Sequence, residues 1–352
     1  MPDAVYTHEG SSGNGKIKST YWLWSFVFFM LAFGVVVYYF SDIRKGFLFL
    51  KRVNIYLLLV ALLTQFLTYV FSAMVYFSLL KGYKPKQMPG RWELIKASIV
   101  LLFFNQTIPS AGVSGNAFFF RFLSRYKISR AKSISLILVE LLVFYAAMEF
   151  IIILLLLACV VIYDVRFAFK GALVMGMFAY LVFGSLILLA EKKDILNRLL
   201  ERALRLRIAK WLFKRLRGRF PEESHLRDEI QVATVIKKNR GAVFRAFFSQ
   251  LLLVVTDSCT LYVLFLGIGY PVSPFIVVLT LICTKIISIL PSLPGGLILY
   301  EGSMSFFFTS AGIPVGTAVV LTLGYRLLSF WLPIPFGTIL YRKWANDDLT
   351  HD

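Results

Sequence analysis

LPSLPGGLILYEGSMSFFFTSAGIPVGTAVVLTLGYRLLSFWLPIPFG, residues Leu290–Gly337, is apolar for most of its length, yet it opens on a Pro-Gly-Gly break and encloses two charges, Glu301 and Arg326. Its second half belongs to a continuous apolar run, Val315–Tyr341, long enough for a bilayer span, which takes about 20 residues. Its first half belongs to Ser273–Gly312, equally apolar but interrupted at LPSLPGG (Leu290–Gly296). Pro lacks the amide proton a helix needs and Gly loses the most freedom on entering one, so a helix stops there. The segment reads as two half-length helices meeting at non-helical backbone inside a membrane, an arrangement tolerated only where protein or water covers it.

The same pattern recurs in the amino half, where Leu94–Leu123 breaks at IPSAGVSG (Ile108–Gly115). Continuous spans are expected at Tyr21–Phe40, Val53–Leu80, Ala131–Tyr163, Phe167–Ala190 and Val243–Gly267. The first follows a polar leader and has no small-residue cleavage site behind it, so it reads as a retained span rather than a signal peptide. With 58% apolar residues, 34 Phe and a mean hydropathy of +0.74, the chain exceeds the roughly 45–50% apolar content of globular proteins. These values exclude a soluble enzyme and make lipid the solvent for much of the surface.

A net charge of +19 must lie outside the hydrocarbon, and Lys and Arg beside spans accumulate on the cytoplasmic side. With a cytoplasmic amino terminus and both interrupted stretches re-entrant, 30 of the 38 Lys and Arg fall inside and six outside, leaving Lys285 and Arg326 within the membrane. The expected fold is therefore an all-α polytopic bundle of two inverted-topology halves, each with a re-entrant broken hairpin. Its parts are a cytoplasmic, disordered leader at 1–20, an amino-half bundle at 21–190 with a hairpin near 94–123, and a cytoplasmic basic segment at 191–242. A carboxy-half bundle at 243–341 follows, with a hairpin near 273–312, and then a cytoplasmic tail at 342–352. Within the connector, Ile195–Phe220 places Leu196, Leu200, Leu204, Ile208 and Trp211 at helical spacing among nine basic residues, the pattern of a helix lying on an anionic leaflet. The basic residues flank spans instead of building a basic domain, so nucleic acid is not an expected partner.

Several apparent motifs carry no chemistry. Gly10-x-x-x-x-Gly15-Lys16 resembles a phosphate loop, but Ile17 replaces the required Ser or Thr and no strand precedes it. Asn105-Gln106-Thr107 fits a glycosylation sequon buried inside the first hairpin. Cys159, Cys259 and Cys283 lie in apolar stretches and read as small hydrophobes, and His8, His225 and His351 lack ligand spacing. Neither a metal nor a cofactor is expected.

Charges at bilayer depth cost about 3 kcal/mol or more and usually face a bundle interior. Glu140, Glu149, Asp257, Lys285, Glu301 and Arg326 are such charges. Glu140 and Glu149, nine residues apart, fall on opposite faces of one helix. Pro294, Gly295 and Gly296 begin a half-helix whose backbone N–H groups and positive dipole end suit an anion, and Gly112, Ser114, Gly115 and Asn116 do the same in the first hairpin.

Leu290–Gly337 resembles the carboxy-terminal motif of the lysylphosphatidylglycerol synthetase transmembrane (flippase-like, UPF0104) family: Pro294, Gly295, Gly296, Glu301, Gly312, Arg326 and Gly337 match it. Phe104, Asn105, Pro109, Gly112, Gly115 and Arg121 resemble the amino-half motif, and Glu140 falls where the family carries a Glu. Tyr300 stands where an Arg usually precedes the second Glu, and Leu141 and Phe144 stand where Arg and Asp often follow the first. The chain ends at Asp352, without the soluble aminoacyl-transferase domain of fused relatives, so the resemblance implies lipid translocation rather than lipid aminoacylation.

The expected function is thus movement of a phospholipid or polyprenyl-linked lipid between leaflets of a prokaryotic cytoplasmic membrane, with both termini cytoplasmic. Lys285, Arg326 and the two helix N-termini would hold the anionic part. Glu140, Asp257 and Glu301 would pair with those cations or with a cationic headgroup. The alternative is a non-transporting partner that supplies lipid to a separate glycosyltransferase or aminoacyl-transferase. The expected partners are membrane lipids, with room for such an enzyme and for a homo-oligomer.

Overall fold

The computed structural model describes residues 54–108, 112–190, 232–288, 296 and 298–349. The Tyr21–Phe40 span, the Ile195–Phe220 segment and Pro109, Pro294 and Gly295 lie outside them. The described residues are helical throughout, with turns between. In order they form α1 (Ile55–Tyr83), α2 (Arg91–Thr107), α3 (Val113–Arg125), α4 (Arg130–Val161), α5 (Phe167–Ala190) and α6 (Val232–Lys238). There follow α7 (Arg240–Gly267), α8 (Pro274–Ile287), α9 (Leu299–Ser310), α10 (Val315–Arg326) and α11 (Pro333–Leu349). Among the described residues five helices are long and apolar enough to cross a membrane: α1, α4, α5, α7 and the continuous α10–α11 rod. Their lengths match the expected spans, except that α7 begins at Arg240 inside the stretch read as connector.

Both sequence breaks fall between helices. α2 stops at Thr107 and α3 starts after Gly112, which takes φ 87° as its cap, a left-handed value that costs glycine little. The two helices lie antiparallel. Near the break Ser114 Oγ donates to the Phe104 carbonyl (3.0 Å) and the Gly115 N–H to Asn105 Oδ1 (2.9 Å), while at the far end Glu93 and Tyr126 line one cavity. α8 and α9 hold 14 and 12 residues. At 1.5 Å per residue they extend about 20 Å, short of the roughly 30 Å hydrocarbon core.

Small residues set the helix spacing, as expected where lipid supplies no drive to pack apolar faces together. α1 and α7 form the most extensive pair and run antiparallel. The Asn54 N–H donates to the Gly267 carbonyl at one end (3.1 Å), Thr260 Oγ1 donates to Thr64 Oγ1 within the pair (2.9 Å), and Gly82 sits against Ala242 at the other end. A Cβ on Gly337 would fall inside the envelope of Phe103, so this glycine lets α11 lie directly on α2. Gly176 of α5 does the same for Ile286 of α8.

The α10–α11 rod is not uniform. Leu327–Trp331 forms a π-helical turn, closed by the Leu332 N–H donating to the Leu327 carbonyl (2.9 Å). Pro333 has no amide proton to give the Ser329 carbonyl four residues back. Gln106 of α2 supplies the donor instead, Nε2 to the Ser329 oxygen at 2.9 Å. A carbonyl that loses its helical donor away from water needs another partner, and here the partner ties the first broken pair to the last span, three residues beyond Arg326.

Candidate functional site

Four elements of the carboxy half bring six polar or aromatic residues together. Asp257 comes from α7, Lys285 from the last turn of α8, Tyr300 and Glu301 from the first turn of α9, and Tyr325 and Arg326 from the end of α10. The break between α8 and α9 decides this placement. A half-helix ending inside the bundle exposes its negative carbonyl end, where Lys285 stands, and the next half-helix exposes its positive amide end, where Glu301 stands. Each charge therefore occupies the end of the dipole that favours it.

The charges form two closed pairs. Lys285 Nζ lies 2.7 Å from Asp257 Oδ2, and Arg326 Nε lies 2.6 Å from Glu301 Oε1. Asp257 Oδ1 also accepts from the Tyr325 hydroxyl at 2.6 Å, and Glu301 Oε2 accepts from the Ile298 N–H at 2.7 Å. Side-chain exposure is 8% for Asp257, 13% for Glu301 and 6% for Arg326, but 26% for Lys285. Lys285 is thus the most accessible charge of the four. The Arg326 guanidinium is further enclosed by the Tyr300 ring at 4.5 Å and the Phe330 ring at 4.2 Å, each offering its negative face to the cation. Tyr300, which stands where the family resemblance leads one to expect a second Arg, serves here as the floor under the first.

This geometry alters the simplest picture of an open anion site. The α9 amide end, Arg326 and Lys285 are each already met by one of the chain's own carboxylates. A phosphate entering this cluster would compete with those carboxylates, and a displaced carboxylate would be free to take a proton or a cation. Gly296 adopts φ 68°, and a Cβ there would press on Ser288 at 3.3 Å, so the turn before α9 suits glycine on two counts.

The amino-half residues are differently arranged. Asn105, Ser114 and Gly115 are engaged with one another and with Phe104 in joining α2 to α3, so the Gly115 amide already has its acceptor. A Cβ on Gly115 would also strike the Leu101 carbonyl, and the Asn116 N–H returns to the Gly112 carbonyl at 3.2 Å. Arg121 lies over Trp344 at 5.6 Å, away from the carboxy-half cluster. Glu140, half-buried on α4, meets no cation or hydrogen-bond donor among the described residues, and Glu149 Oε2 on the same helix is buried without a partner. Neither joins the Arg326 cluster.

The sequence assigned no site role to Tyr300, Tyr325, Phe330 or Gln106. A signal for Gln106 existed: Pro333 announces an orphaned carbonyl at residue 329. The aromatic residues had no such signal, because a Tyr or Phe in a span is ordinarily packing.

Comparison with known proteins finds relatives among membrane proteins. A UPF0104 membrane protein of Methanothermobacter thermautotrophicus is 25% identical over 141 residues, covering 37% of this chain and 41% of the relative. A further match of that description from the same organism is 40% identical over 109 residues, 30% of each chain. A UPF0104 membrane protein of Pyrococcus horikoshii is 31% identical over 87 residues, 25% of this chain and 26% of the relative. The aligned part thus spans less than half the length of these relatives. The family model for the lysylphosphatidylglycerol synthase TM region matches residues 21–337, and the chain belongs to that family of membrane proteins.

Proposed function

We propose that the protein translocates an anionic lipid between membrane leaflets, binding its phosphate by exchange with the carboxylates of the Asp257–Lys285 and Glu301–Arg326 pairs. The observation that carries this reading is the pairing itself. A buried arginine, a half-buried lysine and two carboxylates meet where α8 and α9, each too short to cross the bilayer, end inside the bundle. A bundle that only had to be stable gains little from such a set, since buried ion pairs scarcely repay their desolvation. An arginine offers a planar fork suited equally to carboxylate and phosphate, so either partner satisfies Arg326 and the exchange leaves no bare charge in the membrane. Glu140, with no cation beside it among the described residues, is available to a cationic headgroup or to a proton.

In this reading α2–α3 and α8–α9 are re-entrant hairpins of oppositely oriented halves. Both termini face the cytoplasm of a prokaryotic cell, and the protein carries out no covalent chemistry. The supporting facts are the short paired helices, the 30-to-6 distribution of Lys and Arg, and membership of a family named for a lipid synthase's membrane region. The test is translocation of fluorescent phosphatidylglycerol by the purified protein in liposomes. Wild type should equilibrate the lipid across the bilayer faster than protein-free vesicles, and Arg326→Gln should not. Equal rates with and without wild-type protein, across anionic lipid classes, would refute the proposal.

A further inference from the structure

Outside the charge cluster, the antiparallel pair α1 and α7 encloses a groove of about 580 Å³. Val70, Met74 and Phe77 line it from α1, and Phe244, Phe248 and Leu252 from α7. Met74, Phe244 and Phe248 are 41%, 69% and 55% exposed, so the apolar wall is open along its side. Three cations also line it: Lys81, Arg245 and Arg91. Lys81 and Arg245 stand at the same end of the pair, where Gly82 meets Ala242, and Arg91 lies over the Phe77 ring at 5.1 Å, one turn further in. Among the described residues none of the three makes an ion pair, and the groove's lining contains no acidic residue.

We infer that this groove holds an anionic phospholipid of one leaflet, its phosphate among Lys81, Arg91 and Arg245 and one acyl chain along Met74 and Phe248. Dimensions and charge both select that occupant. From Lys81 to Val70 the helix rises about 16 Å, roughly half of the 30 Å hydrocarbon core, which is the depth of a single leaflet. The cations lie toward one end and the apolar wall continues from them, matching the order of a phospholipid's parts. Three cations close together beside a membrane, with no ion pair among the described residues, attract anionic headgroups and discriminate against net-neutral ones. By the distribution of Lys and Arg this end faces the cytoplasm, and the groove would be where a lipid leaves the inner leaflet, a last step that rests on the translocase reading.

The test uses the full chain in bilayers that contain diazirine-acyl phosphatidylglycerol or diazirine-acyl phosphatidylcholine, with labelled peptides mapped by mass spectrometry. Phosphatidylglycerol should label peptides containing Met74 and Phe248 about tenfold more than phosphatidylcholine, a preference that salt weakens. In the combined Lys81→Gln, Arg91→Gln and Arg245→Gln variant, labelling by phosphatidylglycerol should fall to the phosphatidylcholine level. Equal labelling by the two lipids overturns the inference. So does labelling by neither, the result expected if residues 21–40 of the chain cover the groove. Translocation is scored in the same preparations. Selective labelling without translocation refutes the transport reading alone, and translocation with unselective labelling refutes the groove alone.

Discussion

Replacing Arg326 by Gln separates what the ion pair does for the fold from what it does for lipid. Removing one member of a buried pair costs about 3–5 kcal/mol, because the other is left as an uncompensated charge. Here the cost should fall near the lower end, about 3 kcal/mol, since Glu301 keeps the Ile298 N–H at 2.7 Å. Glu301→Gln should cost a similar amount. Its amide oxygen can still accept from Ile298, but Arg326 then loses its carboxylate while keeping the aromatic faces of Tyr300 and Phe330. The double variant leaves two neutral groups and should be little worse than either single one, a coupling of about 2–3 kcal/mol. Reversible unfolding of the four proteins in bicelles measures that coupling, and lipid translocation in liposomes is measured beside it. If Arg326 is the phosphate ligand, the double variant recovers stability relative to the additive sum but not transport. A coupling below about 0.5 kcal/mol would refute the structural pairing. Wild-type transport by the double variant would refute the ligand role.

Other consequences follow from single contacts. Gln106→Leu should cost about 1–3 kcal/mol by leaving the Ser329 carbonyl unpaired, and adding Pro333→Ala, which restores an amide donor, should recover most of it. Strict additivity of those two changes would show that the carbonyl has another partner. Gly337→Ala should destabilise by about 1–3 kcal/mol through overlap with Phe103, and Phe103→Ala should relieve it; an unchanged unfolding midpoint in Gly337→Ala would contradict the close packing of α11 on α2. Single cysteines at Lys86 and Lys127 should label with an impermeant thiol reagent only from the cytoplasm, and those at Ser273 and Ile313 only from outside. Labelling of either pair's members from opposite sides would end the re-entrant reading.

Much of this protein was determined by sequence alone. Apolar runs of span length cannot be hidden in water, so α1, α4, α5, α7 and the α10–α11 rod were legible from hydropathy, as were the breaks at Ile108–Gly115 and Leu290–Gly296 from their Pro and Gly. Glu301 and Arg326 were legible as a candidate pair because a charge at that depth needs an opposite one and the two lie on neighbouring elements. What hydropathy could not decide was how the remaining charges are shared. Asp257 and Lys285 are 28 residues apart on separate helices, and Glu140 lies in as apolar a context as Asp257, yet among the described residues Asp257 has a cation beside it and Glu140 has none. Partner choice depends on helix rotation and separation, and those are set by packing between distant segments, such as Gly176 against Ile286 and Gly337 against Phe103. The π turn shows the same division. Pro333 orphans a carbonyl through local covalent chemistry, but only tertiary packing brings Gln106, 223 residues before Ser329, within reach of it.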